Sequence, residues 1–289
     1  MSAALRIVED DILPVQRVLA LVSGFPAACW QDRTLVILQA CVDDSSSAEL
    51  SIFVLAGFVS TYPRWVEFTK EWEVALKKPP SLEYFKMKEA AACRGQFEGW
   101  SFADRDKRVA EFAAIIKKHV VGGFACVMPI EDYKGVFAGK ISKVMDNPYF
   151  LTFYGVIQTL MAMQHLVGDD RTVDFVFDEQ GKQVGQALSA WKYFKQFATP
   201  EAGVFIGNPP ISRDDKTFLP LQAADILAWK TRRNIMDKAS GEVHPVIPSL
   251  STLNCVVETW TKDRLQSMYD RVDVMRRSLG HAFPYDGKE

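Results

Sequence analysis

Two short apolar runs, each ending in an acid, constrain this chain more than any other feature. Leu35-Val36-Ile37-Leu38-Gln39-Ala40-Cys41-Val42 leads into Asp43-Asp44-Ser45-Ser46-Ser47, and Thr172-Val173-Asp174-Phe175-Val176-Phe177 leads into Asp178. Runs this short and this apolar, bounded by turn residues, read as strands buried on both faces. Ile52 to Val59 is a further apolar run and should pair antiparallel with the first. Parallel strands ending in Asp43 and Asp178 would bring both acids to one edge of a sheet. The crevice beyond the carboxyl ends of strands is where α/β proteins place ligands.

The intervening segments alternate with helical patterns. Trp65, Phe68, Trp72 and Leu76 recur at helical steps, and Pro79-Pro80 ends that pattern. Such an aromatic stripe packs a core more often than it stacks on a ligand. Further helices are expected at Ile12–Val22, Asp104–His119, Pro148–Val167, Lys182–Phe197 and Leu219–Arg233, with a tail helix through Leu265, Met268, Val272 and Leu279. Strands are expected at Gly123–Ile130 and Gly203–Ile206. This order predicts an α/β fold with a mixed sheet flanked by helices. Residues 1–33 read as an N-terminal extension, 34–235 as the domain, and 236–289 as a C-terminal helical appendage packed on it or on a second copy, a homodimer.

Asp225 stands out because its neighbours are apolar. In Leu221-Gln222-Ala223-Ala224-Asp225-Ile226-Leu227-Ala228-Trp229 it shares a helical face with Leu221, Gln222, Ala228 and Trp229. A buried carboxylate costs several kcal/mol unless it is protonated, ion-paired or bound to metal. Arg232 and Arg233, near the expected end of that helix, are candidate partners or phosphate contacts.

Composition limits the partners. A formal net charge of -2 is not the strongly basic balance that points to nucleic acid, so a polyanion would have to be held locally, by a basic strip or by bound metal. The five cysteines form no C-x-x-C pair, and Cys41, Cys126 and Cys255 lie in apolar runs. They read as buried small hydrophobes in a reducing compartment. The apolar stretch Val18–Trp30 is short, broken by Gly24 and Pro26, and preceded by acids where an export signal carries positive charge. A soluble cytoplasmic protein with no membrane span is expected.

Four blocks carry a resemblance. Val42-Asp43-Asp44-Ser45, Phe85-Lys86-Met87-Lys88-Glu89, Phe175-Val176-Phe177-Asp178-Glu179-Gln180 and Leu219-Pro220-Leu221-Gln222-Ala223-Ala224-Asp225 occur in that order. Together the chain resembles the bacterial and phage family called domain of unknown function 3800. The resemblance implies a ribonuclease H-like fold and a nuclease-type site in which Asp43, Glu89, Asp178 and Asp225 hold Mg2+ or Mn2+. It singles out Glu89, with Glu83 as the alternative, which periodicity does not. Ser46 and Ser47 stand where the family has a glycine, and Lys86 where it commonly has histidine.

The leading expectation is a metal-dependent nuclease acting on DNA or RNA, in which Lys86 or Lys88 touches a phosphate. The alternative is a non-catalytic module of the same fold that binds nucleic acid or a protein partner in a phage-defence or mobile-element setting. A small-molecule phosphohydrolase is a third reading. The chain lacks GxxxxGK[ST] and G-x-S-x-G motifs, so nucleotide-loop and serine-nucleophile chemistries have no sequence support.

Overall fold

A computed structural model describes residues 14–19, 38–47, 51–140, 146–168, 171–179, 191, 207–241, 250 and 253–279. The described elements in chain order are α1 (Pro14–Leu19), β1 (Leu38–Ser47), β2 (Ile52–Thr61), α2 (Tyr62–Lys77), α3 (Met87–Ala92), α4 (Phe102–His119), β3 (Gly122–Pro129), α5 (Ile130–Val136), α6 (Pro148–Val167), β4 (Val173–Asp178), β5 (Ile211–Arg213), α7 (Pro220–Ser240), β6 (Cys255–Thr259) and α8 (Lys262–Leu279). The expected helix Lys182–Phe197, apart from Trp191, and the strand Gly203–Ile206 lie outside the described residues.

The strands form one six-stranded mixed sheet in the order β5-β4-β1-β2-β3-β6. β1, β2 and β3 are antiparallel neighbours. β4 runs parallel to β1, β5 parallel to β4, and β6 parallel to β3. Side chains alternate between the two faces of every strand, and each face carries its own apolar core. Cys41, Val54, Ala56, Phe58, Ala125, Val127 and Val176 pack against α2, α4 and α7. Leu38, Ala40, Val42, Leu55, Phe124, Cys126, Phe175 and Phe177 pack against α6, α5 and α8.

Helix boundaries follow the local chemistry. Pro63 and Pro148 sit in the first turns of α2 and α6, where a missing N–H costs nothing. The side chain of Asn147 accepts the Tyr149 N–H at 2.9 Å, and Gly168 ends α6 in the left-handed region at φ 65. The aromatic stripe of α2 is core: Trp65, Phe68 and Trp72 are 1%, 0% and 0% exposed.

Several expectations are corrected. The acids and serines after Val42 do not form a turn, because β1 continues through Ser47 in register with Ile52. α7 runs seven residues beyond Arg233, to Ser240, so Arg232 and Arg233 lie inside the helix and not at its carboxyl end. Arg233 Nε reaches Asp237 Oδ1 at 2.6 Å, and Arg232 Nε donates to Ser45 Oγ at 2.8 Å. The C-terminal segment is not purely helical, since β6 closes one edge of the sheet. The tail helix buries Leu265 and Val272 in the core on its own side of the sheet. Cys41 and Cys126 are buried as expected, whereas Cys255 and Cys93 are half-buried. Among the described residues no helix is long and apolar enough to cross a membrane.

Gly57 marks the tightest approach inside the sheet. A Cβ there would lie 1.9 Å from the carbonyl oxygen of Cys41, on the strand that carries Asp43. Backbone cannot yield as a flexible side chain can, so Gly57→Ala should destabilise the fold by about 3 kcal/mol or more. Urea unfolding of the variant measures this, and a midpoint equal to that of the parent would contradict the packing described.

Candidate functional site

The β1–β4 ladder stops at Val42 opposite Phe177, so Asp43 and Asp178 emerge together as the pairing ends. Both point to the α7 side of the sheet, following Cys41 and Val176 in the alternation. They are 2% and 6% exposed. Asp44, next along β1, turns to the opposite face, and its N–H donates to Asp43 Oδ1 at 2.7 Å. Among the described residues, Asp43 Oδ2 is buried and has no hydrogen-bond partner.

α7 brings the next acid. Its apolar face packs on β1 and β2 and leaves Asp225, half-buried, facing the start of α3. Asp225 Oδ2 accepts the Met87 N–H at 2.5 Å. One turn earlier, buried Gln222 ties three segments together. Its Oε1 accepts from Trp72 Nε1 at 2.8 Å and from the Phe85 N–H at 3.1 Å, and its Nε2 donates to the Asp215 carbonyl at 2.9 Å. Gln222 and Asp225 thereby clasp the backbone on both sides of Lys86.

Two buried arginines of α4 brace the same segment. Arg108 donates to the carbonyls of Ala75, Lys78 and Pro80, and Arg105 to those of Ala90 and Ala91. Held in this way, Lys86 sends its ammonium among the acids. Nζ pairs with Asp215 in a very short contact and lies 3.7 Å from Asp178 Oδ2.

Among the described residues the Lys86 ammonium contacts Asp178 and Asp215, and its charge also acts on Asp43 and Asp225 and, from across the sheet, on Asp44. Burial, then Asp225, Asp178 and Asp44, push the Asp43 carboxyl well above its ordinary range against the pull of Lys86. Burial and Asp178 raise Asp44 to about 6. Burial raises Asp225 to about 6, opposed by Lys86 and the Met87 N–H and helped by Asp215 and Asp178. Burial also raises Asp215, although Lys86 lowers it. For Lys86 burial disfavours the charge, but Asp225, Asp43 and Asp215 outweigh it and hold the ammonium above its usual value. From the other face, burial and the charges of Asp44, Asp43 and Asp178 push the Tyr149 phenol up.

The structure therefore brings together Asp43, Asp178, Asp225 and Lys86 from the sequence-predicted set. It adds Asp215 and Asp44. Glu89 is engaged elsewhere: Tyr84 Oη donates to it at 3.1 Å and the Gln96 N–H at 2.8 Å. Gly95, at φ +55, makes room for that carboxylate, since a Cβ would lie 2.3 Å from its Oε2. Lys88 is exposed. Asp215 gave no sequence signal, because Arg213-Asp214-Asp215-Lys216 reads as an ordinary polar turn before a helix.

Mg2+ or Mn2+ suits carboxylate oxygens, and the orphaned Asp43 Oδ2 is a donor of the right kind. The spacing is not preset: among the described residues no three Asp, Glu, His or Cys side chains stand close enough to form a ready ligand set. Unscreened carboxylates repel by about 4 kcal/mol per pair at ~4 Å and protein-like dielectric, so closure around an ion requires that ion to arrive. No protein-family model, no curated protein and no solved structure matches the chain.

The raised acids make metal-free stability depend on pH. Asp44 and Asp225 carry ordinary values of 3.8 and folded values of about 6, so the folded state holds more protons between those limits. Their contribution is complete at low pH and is lost as pH climbs through about 6. Asp225→Asn keeps an acceptor for the Met87 N–H and removes the titration. In EDTA, the melting temperature of the parent should fall relative to that of Asp225→Asn between about pH 4 and pH 7. A constant difference would show that Asp225 is not raised.

Gln222→Leu keeps the volume but strands the Trp72 and Phe85 donors, and should cost about 2–3 kcal/mol in chemical unfolding. A cost within about 0.5 kcal/mol would mean that the clasp does not hold the segment.

Proposed function

We propose that the protein is a divalent-metal-dependent phosphodiesterase of ribonuclease H-like build, acting on DNA or RNA. Asp43, Asp178, Asp225 and Asp215 are the carboxylates that would hold Mg2+ or Mn2+, with Asp215 taking the place expected for Glu89. The observation that carries this reading is the buried Asp43 Oδ2, without a hydrogen-bond partner among the described residues, in a carboxyl that burial and the neighbouring acids push up despite Lys86. The antiparallel β1–β2–β3 unit, the parallel β1–β4–β5 unit and helices on both faces are compatible with the ribonuclease H-like assignment. The four blocks resembling domain of unknown function 3800 point the same way.

A bound divalent ion would supply the positive charge that activates water and stabilises the oxygens of a phosphodiester displacement. The chain's own groups do the rest. The backbones leading to Asp43 and Asp178 are held side by side by the sheet, so both carboxylates start from neighbouring strand ends. Asp225 is oriented by the Met87 N–H. Gln222 fixes Phe85 and hence the place from which Lys86 can reach a phosphate oxygen. Asp44, raised to about 6 by burial and by Asp178, gives up its proton as pH approaches neutrality.

The Lys86–Asp215 ion pair favours one other reading, a non-catalytic module of the same fold whose internal cation makes metal unnecessary. Labelled single- and double-stranded DNA and RNA, incubated with Mn2+ or with EDTA, separate the two. Cleavage with Mn2+ alone, reduced more than about 100-fold in both Asp43→Asn and Asp178→Asn, is the expected result. Binding without cleavage, unchanged by either substitution, would establish the module.

A further inference from the structure

We infer that Lys86 is the resident cation of the acidic cluster and competes with a divalent ion for the same position. The inference rests on the cation-site reading above and specifies how that site is controlled. The backbone around Lys86 is fixed on both sides, through the Phe85 N–H to Gln222 and the Met87 N–H to Asp225. The lysine side chain as a whole keeps 20% exposure, so it lies at the boundary of the site with solvent. Its ammonium contacts Asp215 and Asp178, yet among the described residues Asp43 Oδ2 has no hydrogen-bond partner.

An ammonium carries one charge and three donors, whereas Mg2+ or Mn2+ carries two charges and takes about six oxygen ligands. At such range two cations repel, so an arriving Mg2+ or Mn2+ that takes the same carboxylate oxygens weakens the hold of those acids on Lys86. Entry of the ion must therefore expel Lys86 toward solvent, where a phosphate would meet it. In this respect Lys86 is a positioning and gating group: it offsets part of the acids' mutual repulsion until a better cation arrives.

Calorimetric titration of the full chain with MnCl2 tests the competition. Lys86→Met and Lys86→Gln should each bind Mn2+ at least about tenfold more tightly than the parent, since a repelling charge has gone. Without metal both variants should melt lower than the parent, and saturating Mn2+ should restore them. Affinity equal to or weaker than that of the parent overturns the competition while leaving the cation site standing. Absence of Mn2+ binding in all three proteins overturns the competition and the cation reading together. A second measurement uses the parent chain, whatever the fate of the variants: acetylation of Lys86 by an amine-reactive ester, followed by peptide mass spectrometry. Mn2+ should accelerate labelling of Lys86 severalfold and leave Lys88 and Lys216 unchanged. An unaltered Lys86 rate overturns the inference.

Discussion

The site depends on like charges held close: several carboxyl groups gathered where the sheet ends, with the Lys86 ammonium among them. Everything around that cluster is devoted to holding it in place. Asp43 and Asp178 cannot separate without breaking the parallel pairing of β1 and β4. Asp225 cannot turn away without releasing the Met87 N–H. Lys86 is delivered by a segment braced from behind by Arg105 and Arg108 and clasped in front by Gln222. A buried charge with a partner is tolerable and one without is costly. The acids respond by retaining protons where no cation reaches them.

Much of the framework was legible in the sequence, for a definite reason. The apolar runs of β1, β2 and β4 and the helical steps of α2, α4 and α6 arise from burial, and burial leaves a periodic mark. Asp43, Asp178 and Asp225 were visible because each interrupts or ends an apolar pattern. The same logic explains the misses. Asp215 lies among polar neighbours, and tertiary packing alone buries it, leaving no local trace. β5 is three residues long, too short for a pattern. β6 mixes polar and apolar residues because it lies at an edge.

Glu89 and Lys86 show where motif reasoning and physical reasoning part. The second block marks a segment that matters, but not which of its side chains faces the acids. Lys86 does so because it is the extended residue just before α3, aimed by bonds to its two neighbours. Glu89, one turn into the helix, folds back on Gln96 and Tyr84. Gln222 reads as a helix-face polar residue in the sequence, yet it is the group that joins α2, the Lys86 segment and the Asp215 turn.

The parallel pairing of β1 with β4 has a further consequence, for the order of events as the chain folds. The β1–β2 hairpin and the β2–β3 pair can form among residues near in sequence, while β4 must return from far along the polymer to lie beside β1. Closing so long a loop is entropically expensive and slow compared with local pairing. Asp43 therefore meets Asp178 only after that return, and α7 adds Asp225 later still in the chain. Early compact states are spared most of the mutual repulsion of the acids, and a nascent chain released before β4 emerges would possess the hairpin with Asp43 and Asp44 but not the acids of β4, the Asp215 turn and α7.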